Sequence, residues 1–379
     1  MKILIINQHT NNFGDDAAGY ALVSELVSRG HKVAISYIWN KAGTKIPFEH
    51  ENVIHFDKLS ISRNTLMKEA VLFILGKDGY LKKLKKLAQE YDSVLVSPGG
   101  ANIGIYKDWA YLANVIVARM ANKNVIFHLN TIGESNSRLF NFISLNVLKK
   151  CILFVREKRS FDFLRSKKIN VSLGVDTAFL LPPHEKAPDS GKKIITFIPT
   201  QLSNWHVDFR GKNEGNILKE EILPSLSEFA AKNNYIIRIL PHLYASEAES
   251  GFLEMIKDSI QLYGGDAHID SDVNTFFKYD EKVANSELVV SMRYHGVVLA
   301  VKNKTKVISL AYENKMKECC RYSNLLSQNI DLLNYDNKKF IALLDNSLNI
   351  SLSHIDNEFL KRMALKPIDF IELYNRESL

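Results

Sequence analysis

A chain of 379 residues, 46% hydrophobic and 24% charged, has the balance of a soluble globular protein and is long enough for two domains of ~150–200 residues each. Three cysteines, of which Cys319 and Cys320 are adjacent, exclude a disulfide framework and a cysteine metal site, and they fit a reducing cytoplasm. The net charge of +7 favours anionic partners, but the basic residues are scattered and no zinc-finger, RRM-type or basic-arm pattern accompanies them, so no nucleic acid is expected.

The first residues, Met1-Lys2-Ile3-Leu4-Ile5-Ile6-Asn7, hold too short an apolar run for a signal peptide and read as a strand over Ile3–Ile6. A helix is expected over Asp16–Arg29, stopped by Gly30, then a strand over Lys32–Ile38. The run Ala70-Val71-Leu72-Phe73-Ile74-Leu75 ends at Gly76-Lys77, far short of the ~18 apolar residues a bilayer span needs. Leu81, Leu84, Leu87 and Ala88 recur at helical spacing and put Lys82, Lys83, Lys85 and Lys86 on the outward face. That lysine cluster is either a solvated helix face or a patch that rests on acidic lipid head groups.

Ser93–Ser97 is the next strand, closed by Pro98-Gly99-Gly100. Helix Asp108–Ala121, strand Val125–Leu129, helix Arg138–Leu148, strand Ile152–Val155 and helix Lys158–Ser166 follow. This alternation implies a mostly parallel sheet with helices on both faces, whose ligands bind beyond the carboxyl ends of the strands.

A polar stretch broken by prolines, from Leu181-Pro182-Pro183 to Pro188-Asp189-Ser190-Gly191, marks a linker. The pattern then restarts with strand Lys193–Ile198, helix Ile217–Asn233, strand Tyr235–Leu240 and helix Glu247–Leu262. Helix Asn274–Asn285 and strands Leu288–Ser291 and Lys306–Leu310 complete it. The expected fold class is α/β: two doubly wound Rossmann-like domains facing a cleft, a GT-B-like architecture. An N-terminal domain spans residues 1–183 and a C-terminal domain residues 191–350. Residues 351–379 form a tail, helical over His354–Tyr374, that packs back on the first domain.

Chemistry concentrates in Ser291-Met292-Arg293-Tyr294-His295-Gly296, directly after a buried strand. The following Val297–Val301 is short enough to be helix or strand by pattern alone. At such a turn Arg293 offers a fork of donors to carboxylate or phosphate, and His295 can move a proton near neutral pH. The plain alternative is an Arg paired with a local acid and a His capping a helix. In Asn11-Asn12-Phe13-Gly14-Asp15-Asp16, Gly14 lets backbone approach a ligand closely. One of Asp15 and Asp16 reads as a helix cap and the other as a carboxylate available to a sugar hydroxyl. The Gly99-Gly100 pair permits a turn whose N–H groups hold an anion or a hydroxyl. His128 and His242 each fall at a strand end, where a histidine is structural or catalytic. Arg156 precedes Glu157, which reads as a local ion pair or as an anion site. No cluster with metal-ligand spacing occurs, so no metal is expected.

In order and spacing these segments resemble the polysaccharide pyruvyl transferases. The resemblance runs from about residue 1 to residue 315 and rests on Asn12-x-Gly14-Asp15, Gly99-Gly100-Ala101 and Arg156-Glu157-x-x-Ser160. It continues through Gly174-x-Asp176-x-Ala178-Phe179, Ser291-x-Arg293-x-His295 and Tyr312-x-x-Lys315. Ala101 stands where the family often has a third glycine, and Tyr294 where leucine is common. The resemblance implies transfer of the enolpyruvyl unit of phosphoenolpyruvate onto a sugar as a ketal, with phosphate released. It implies His295 as general acid with His128 also at the site, Asp15 as base, and Arg293 and Arg156 on the anionic groups. Asn12, Gly14, Gly99, Gly100, Tyr294, His242 and Lys315 would line the substrates. No metal or other cofactor is needed, because phosphoenolpyruvate is itself the donor substrate. The acceptor it implies is a sugar of an envelope, capsule or exopolysaccharide precursor, carried as a lipid-linked oligosaccharide, with the enzyme cytoplasmic and in peripheral membrane contact. A GT-B glycosyltransferase using a nucleotide sugar and a non-catalytic glycan- or anion-binding protein fit the same scaffold. The acceptor sugar, the ketal positions and stereochemistry, and the oligomeric state stay open at the level of sequence.

Overall fold

The computed structural model describes residues 1–10, 12–38, 45–56, 61, 64–122, 124–185, 193–204, 206–209, 214–244 and 247–376. Residues 186–191 of the linker, which include all of Pro188-Asp189-Ser190-Gly191, and Asn11 of the first glycine motif lie outside these residues. The chain divides into two compact units. One comprises Met1–Asn11, Asp15–Leu180 and Glu358–Leu379; the other comprises Asn12–Gly14 and Leu181–Asn357.

The first unit runs β1 (Lys2–Gln8), α1 (Phe13–Ser28, whose first two residues belong to the second unit), β2 (Lys32–Tyr37), β3 (Val53–Phe56), α2 (Leu66–Ile74) and α3 (Tyr80–Gln89). It continues with β4 (Ser93–Val96), α4 (Trp109–Ala121), β5 (Val125–Asn130), α5 (Arg138–Leu148), β6 (Ile152–Val155), α6 (Lys158–Ser166) and β7 (Ser172–Leu173). The strands form one parallel sheet in the order β3-β2-β1-β4-β5-β6-β7. A parallel strand covered on both faces must be apolar along its whole length, and Leu4, Ile6, Val94, Val96 and Phe127 are accordingly buried in one core with α3 and α4. Asp108 caps α4 by accepting from the N–H groups of Ala110 and Tyr111, both at 3.0 Å. α1 begins at Phe13, three residues before the expected start, so Asp15 and Asp16 lie inside its first turn and neither is the cap.

β1 and β5 each slip register near their carboxyl ends, where Asn7 (φ 62°) and Leu129 (φ 57°) take left-handed backbone conformations. Such a conformation costs a non-glycine residue ~1–2 kcal/mol, and a bulge of this kind re-aims the residue that follows, here Gln8 and Asn130.

The second unit runs β8 (Lys193–Ile198), a short α7 (Glu214–Asn216), α8 (Leu223–Lys232), β9 (Tyr235–Ile239), α9 (Glu247–Leu262), β10 (Asp266–Ile269) and α10 (Phe276–Ala284). Then come β11 (Leu288–Ser291), α11 (Tyr294–Lys302), β12 (Lys306–Ala311), α12 (Asn314–Tyr322), β13 (Asn329–Asp331) and α13 (Asn337–Asn346). Its parallel sheet has the order β10-β9-β8-β11-β12-β13. The helix expected over Ile217–Asn233 is instead a π-turn over Ile217–Ile222 followed by α8, with Pro224 at its start. A proline there has no N–H to return to the preceding turn, and the wider winding falls just before it. The ambiguous Val297–Val301 is helical, and all nine residues of α11 are buried.

The last helix, α14 (Asn357–Arg376), packs within the first unit apart from its first residue. Arg29 Nη1 lies 2.8 Å from Asp369 and 3.0 Å from Glu372, and Lys366 donates to the Leu173 carbonyl at 2.9 Å. Gly174 is required by this packing, since a Cβ there would stand 2.4 Å from Leu129 Cδ2 and 2.8 Å from the Met363 carbonyl.

Candidate active site

Ser291 ends β11 and shapes the turn behind it. Its Oγ accepts from the Arg293 N–H at 3.0 Å and donates to the Arg293 carbonyl at 2.8 Å. Arg293 thereby becomes the N-cap of α11, whose first turn carries Tyr294, His295 and Gly296 at the positive end of the helix dipole. Gly296 allows the helix to start this close to the strand: a Cβ would lie 2.4 Å from Ser291 Oγ.

The start of α1 meets this turn within the second unit. Asn12 bridges Leu243, and the Phe13 N–H donates to the His242 carbonyl at 3.2 Å. The Phe13 ring stacks on Tyr279 at 5.3 Å and meets Tyr244 edge-on at 4.5 Å. These contacts seat Gly14 against His295, so that a Cβ on Gly14 would stand 2.0 Å from Nδ1 and 2.2 Å from Cγ of that ring.

Charges of both signs surround His295. Arg293 Nη2 lies 4.0 Å from Glu249 Oε1, and Glu249 accepts the N–H groups of His242 at 3.3 Å and Leu243 at 2.9 Å. Burial raises the Glu249 carboxyl above its ordinary range, opposed by the Leu243 N–H, the Arg293 guanidinium and the His242 N–H. His242 is buried with Nδ1 3.2 Å from the Tyr279 hydroxyl. Burial lowers its pKa well below the usual value, and the charges of Arg293, His295 and Lys315 push the same way. Lys315 Nζ pairs with Glu313 at 2.9 Å and lies over the rings of Tyr294 (5.6 Å) and Tyr312 (5.8 Å). The other oxygen of Glu313 is 3.2 Å from His206 Nε2. A guanidinium, an ammonium, a neutral buried imidazole and a helix N-terminus around His295 suit a small anion that is to receive or lose a proton.

The remaining sequence-derived candidates lie in the first unit. Asp15 sits on α1, its carbonyl accepting from Gln8 Nε2 at 3.3 Å and its charge partly offsetting the burial that lowers the pKa of His9. Gln8 also accepts from Ser97 Oγ at 2.5 Å, and His9 Nε2 is 3.3 Å from Asn102 Nδ2, so the carboxyl ends of β1 and β4 form one polar group. The Gly99 carbonyl accepts from the Thr131 N–H at 3.1 Å. A Cβ at Gly99 or Gly100 would make only ordinary contacts, so nothing in the folded chain itself demands glycine there.

Two expectations need correction. Arg156 does not pair with Glu157: its Nη1 meets Asp176 Oδ2 at 2.6 Å and its Nε donates to Thr131 Oγ1 at 3.2 Å, both side chains of the ion pair being at most 3% exposed. Glu157 accepts instead from Ser160 Oγ, which itself accepts the Ile132 N–H. A guanidinium so enclosed braces β6 against the turn before Ala178, whose N–H Asp176 Oδ1 also caps, and it is poorly placed to receive an anion. His128 is fully buried, and burial pushes its pKa down to about 3, so it is neutral at physiological pH and cannot serve as a proton donor there. Sequence reasoning missed Glu249, Tyr279 and His206 altogether. Glu313 had a signal, lying inside Tyr312-x-x-Lys315. Among the described residues no group of three His, Cys, Asp or Glu side chains could hold a metal ion.

Two Rossmann-like units in one chain are also the fold of solved structures that it resembles. A UDP-GlcNAc 2-epimerase from Methanocaldococcus jannaschii superposes with a TM-score of 0.63 at 13% identity, covering 98% of this chain and 100% of that one. The epimerase from Neisseria meningitidis, bound to UDP-GlcNAc, superposes with a TM-score of 0.60 at 13% identity over 98% and 99%. Staphylococcus aureus MnaA with UDP gives 0.62 at 12% identity over 99% and 97%. At such identities the likeness is one of fold, and it places the chain in the GT-B-like class. Among curated protein sequences none matches. The family model for polysaccharide pyruvyl transferases matches residues 12–314, from the bridge at Asn12 to the start of α12, and this chain belongs to that family.

Proposed function

We propose that the enzyme transfers the enolpyruvyl group of phosphoenolpyruvate to a sugar diol as a pyruvate ketal. The observation that carries this reading is the cationic group at the start of α11. There Arg293 is the N-cap of α11 and Lys315, from the start of α12, lies with its Nζ 5.6 Å from the Tyr294 ring centroid, beside a His295 packed on bare Gly14 backbone. In this reading Arg293 and Lys315 hold the carboxylate and phosphate, and His295 protonates carbon 3. Carbon 2 then accepts a sugar hydroxyl, whose proton passes to Asp15. The bond from carbon 2 to the phosphate oxygen breaks with its electron pair, and the second hydroxyl closes the ketal as its proton returns to His295. One phosphoenolpyruvate and one diol give one ketal and one phosphate, with no oxidant, reductant or metal. His128 and Arg156 take structural parts, and Asn12, Gly14, Gly99, Gly100, Tyr294 and His242 shape the substrate surfaces.

The acceptor we infer is a lipid-linked oligosaccharide of a cell-surface polysaccharide, capsule or exopolysaccharide, which places the enzyme in the cytoplasm at the membrane. Calorimetry with phosphoenolpyruvate and with a nucleotide sugar tests the donor. Binding of phosphoenolpyruvate that Arg293→Met abolishes is the expected result. Binding of UDP-GlcNAc alone would instead favour glycosyl transfer, and tight phosphoenolpyruvate binding with no turnover on any acceptor would favour a pure receptor.

A further inference from the structure

α2 has no buried residue, which is unusual for a helix that packs on a domain. Its inward side is nevertheless defined: Leu66 and Phe73 rest on the core, and the Glu69 carboxylate accepts the Tyr80 N–H at the start of α3 at 2.5 Å. The opposite side carries Met67, Val71, Ile74 and Leu75, at the i, i+4, i+7, i+8 spacing of one helix face, exposed by 75%, 51%, 82% and 61%. Lysines of α3 lie beside α2. Lys82 Nζ reaches the Gly76 carbonyl at 2.7 Å, Lys85 Nζ lies 5.9 Å from the Phe73 ring centroid, and Lys83 and Lys86 are exposed. From Leu66 to Lys86 there are six lysines against two carboxylates, one of which is the inward-turned Glu69.

Large apolar side chains gathered on a single exposed helix face mark a contact surface. A row of α3 lysines beside them disfavours a second copy of the same face and complements an anionic one. We propose that α2 is a membrane-docking helix, lying in the plane of an anionic bilayer with its four apolar side chains at the acyl boundary and the α3 lysines on the head groups. With nine residues α2 is too short to span a bilayer, and no helix among the described residues is long and apolar enough to do so. The proposal deepens the membrane location inferred above but rests on α2 and α3 alone, and it needs no turnover to be tested.

The test is co-sedimentation of the full chain with vesicles of phosphatidylglycerol and phosphatidylcholine in equal parts, against vesicles of phosphatidylcholine only. The protein sediments with the first and at least ~10-fold less with the second, and raising salt from about 0.1 M to about 0.5 M releases it. Met67→Glu/Ile74→Glu/Leu75→Glu lowers vesicle partition by at least ~10-fold, as does Lys83→Glu/Lys86→Glu, with melting temperatures unchanged. Ile74→Glu alone gives an intermediate loss should the triple variant fold poorly. Phosphate release with a water-soluble acceptor is unaffected in all three, which separates failure of docking from failure of catalysis. Equal binding to neutral vesicles, no binding to either kind, or binding by the triple variant like that of the unmodified chain would overturn the proposal. So would a concentration-dependent dimer that Ile74→Glu dissolves in a protein that ignores vesicles, since the face would then belong to a second copy.

Discussion

Gly14 and His295 meet backbone to ring, with no room for a methyl group: a Cβ at position 14 would stand 2.0 Å from His295 Nδ1. In most helices glycine-to-alanine substitution stabilises by ~1 kcal/mol. At this place in the first turn of α1 the sign reverses, because the imidazole must move or the helix must shift. Gly14→Ala is expected to lower unfolding stability by ~1–3 kcal/mol, the range for overpacking. It should also cut turnover by ~100-fold, because a 1 Å displacement of a reacting group costs that much. Urea midpoints and initial rates on the same preparation check both, and an alanine variant as stable and active as the parent would show that the contact is not functional.

The buried pair Arg156–Asp176 gives a stability prediction. Removing one partner strands the other charge, so Arg156→Met or Asp176→Leu alone should cost ~3–5 kcal/mol. The double substitution leaves no unpaired charge and should recover most of that loss. If Arg156 were chiefly an anion receptor, Arg156→Met would instead fold normally and lose affinity for phosphoenolpyruvate.

Acid stability follows from His128. The folded protein keeps this imidazole neutral down to about pH 3, whereas the unfolded chain takes up the proton near its ordinary value of 6.5. Between those two values the unfolded state binds more protons. Stability therefore falls as pH falls, by up to ~1.4 kcal/mol per pH unit from this group, and the contribution is complete above pH 6.5. The lowered pKa of His242 acts in the same direction. Neither ring nitrogen of His128 has a hydrogen-bond partner among the described residues, so leucine replaces it at little polar cost. Unfolding free energies at pH 7 and pH 5 should differ less in His128→Leu than in the parent. An identical difference in the two proteins would contradict the assignment.

Lys315, paired with Glu313, holds one end of phosphoenolpyruvate in the proposed reading. Lys315→Met should raise KM for phosphoenolpyruvate by ~10-fold or more, one to two charge-assisted hydrogen bonds being lost, with a smaller change in kcat. A large fall in kcat at unchanged KM would give Lys315 a part in the chemical step instead.

The alternation of strands and helices was legible because parallel strands buried on both faces are written as uninterrupted apolar runs, such as Ile152–Val155 and residues 288–290. β3 and α2 were not, because no residue of Val53–Phe56 is fully buried, and α2 carries apolar side chains on its exposed face as well as on the face that rests on the core. At the site, Arg293 and His295 could be read from their place after a strand. The role of Arg156 could not: its partner Asp176 is twenty residues away, and only the fold brings the two together. Glu249 and His206 carry no local signal, since their relation to the site is made entirely by tertiary packing.

The most direct measurement is phosphate release from phosphoenolpyruvate by purified protein, with and without a panel of lipid-linked and water-soluble hexosides. Release is expected only when an acceptor with two suitably placed hydroxyls is present. Arg293→Met and His295→Ala should each lower the rate by at least ~100-fold, with the protein still folded and phosphoenolpyruvate still bound by His295→Ala. Acceptor-dependent release that survives both substitutions would contradict the placement of the chemistry at the start of α11. Slow turnover of a nucleotide sugar, with phosphoenolpyruvate left intact on every acceptor, would contradict pyruvyl transfer itself.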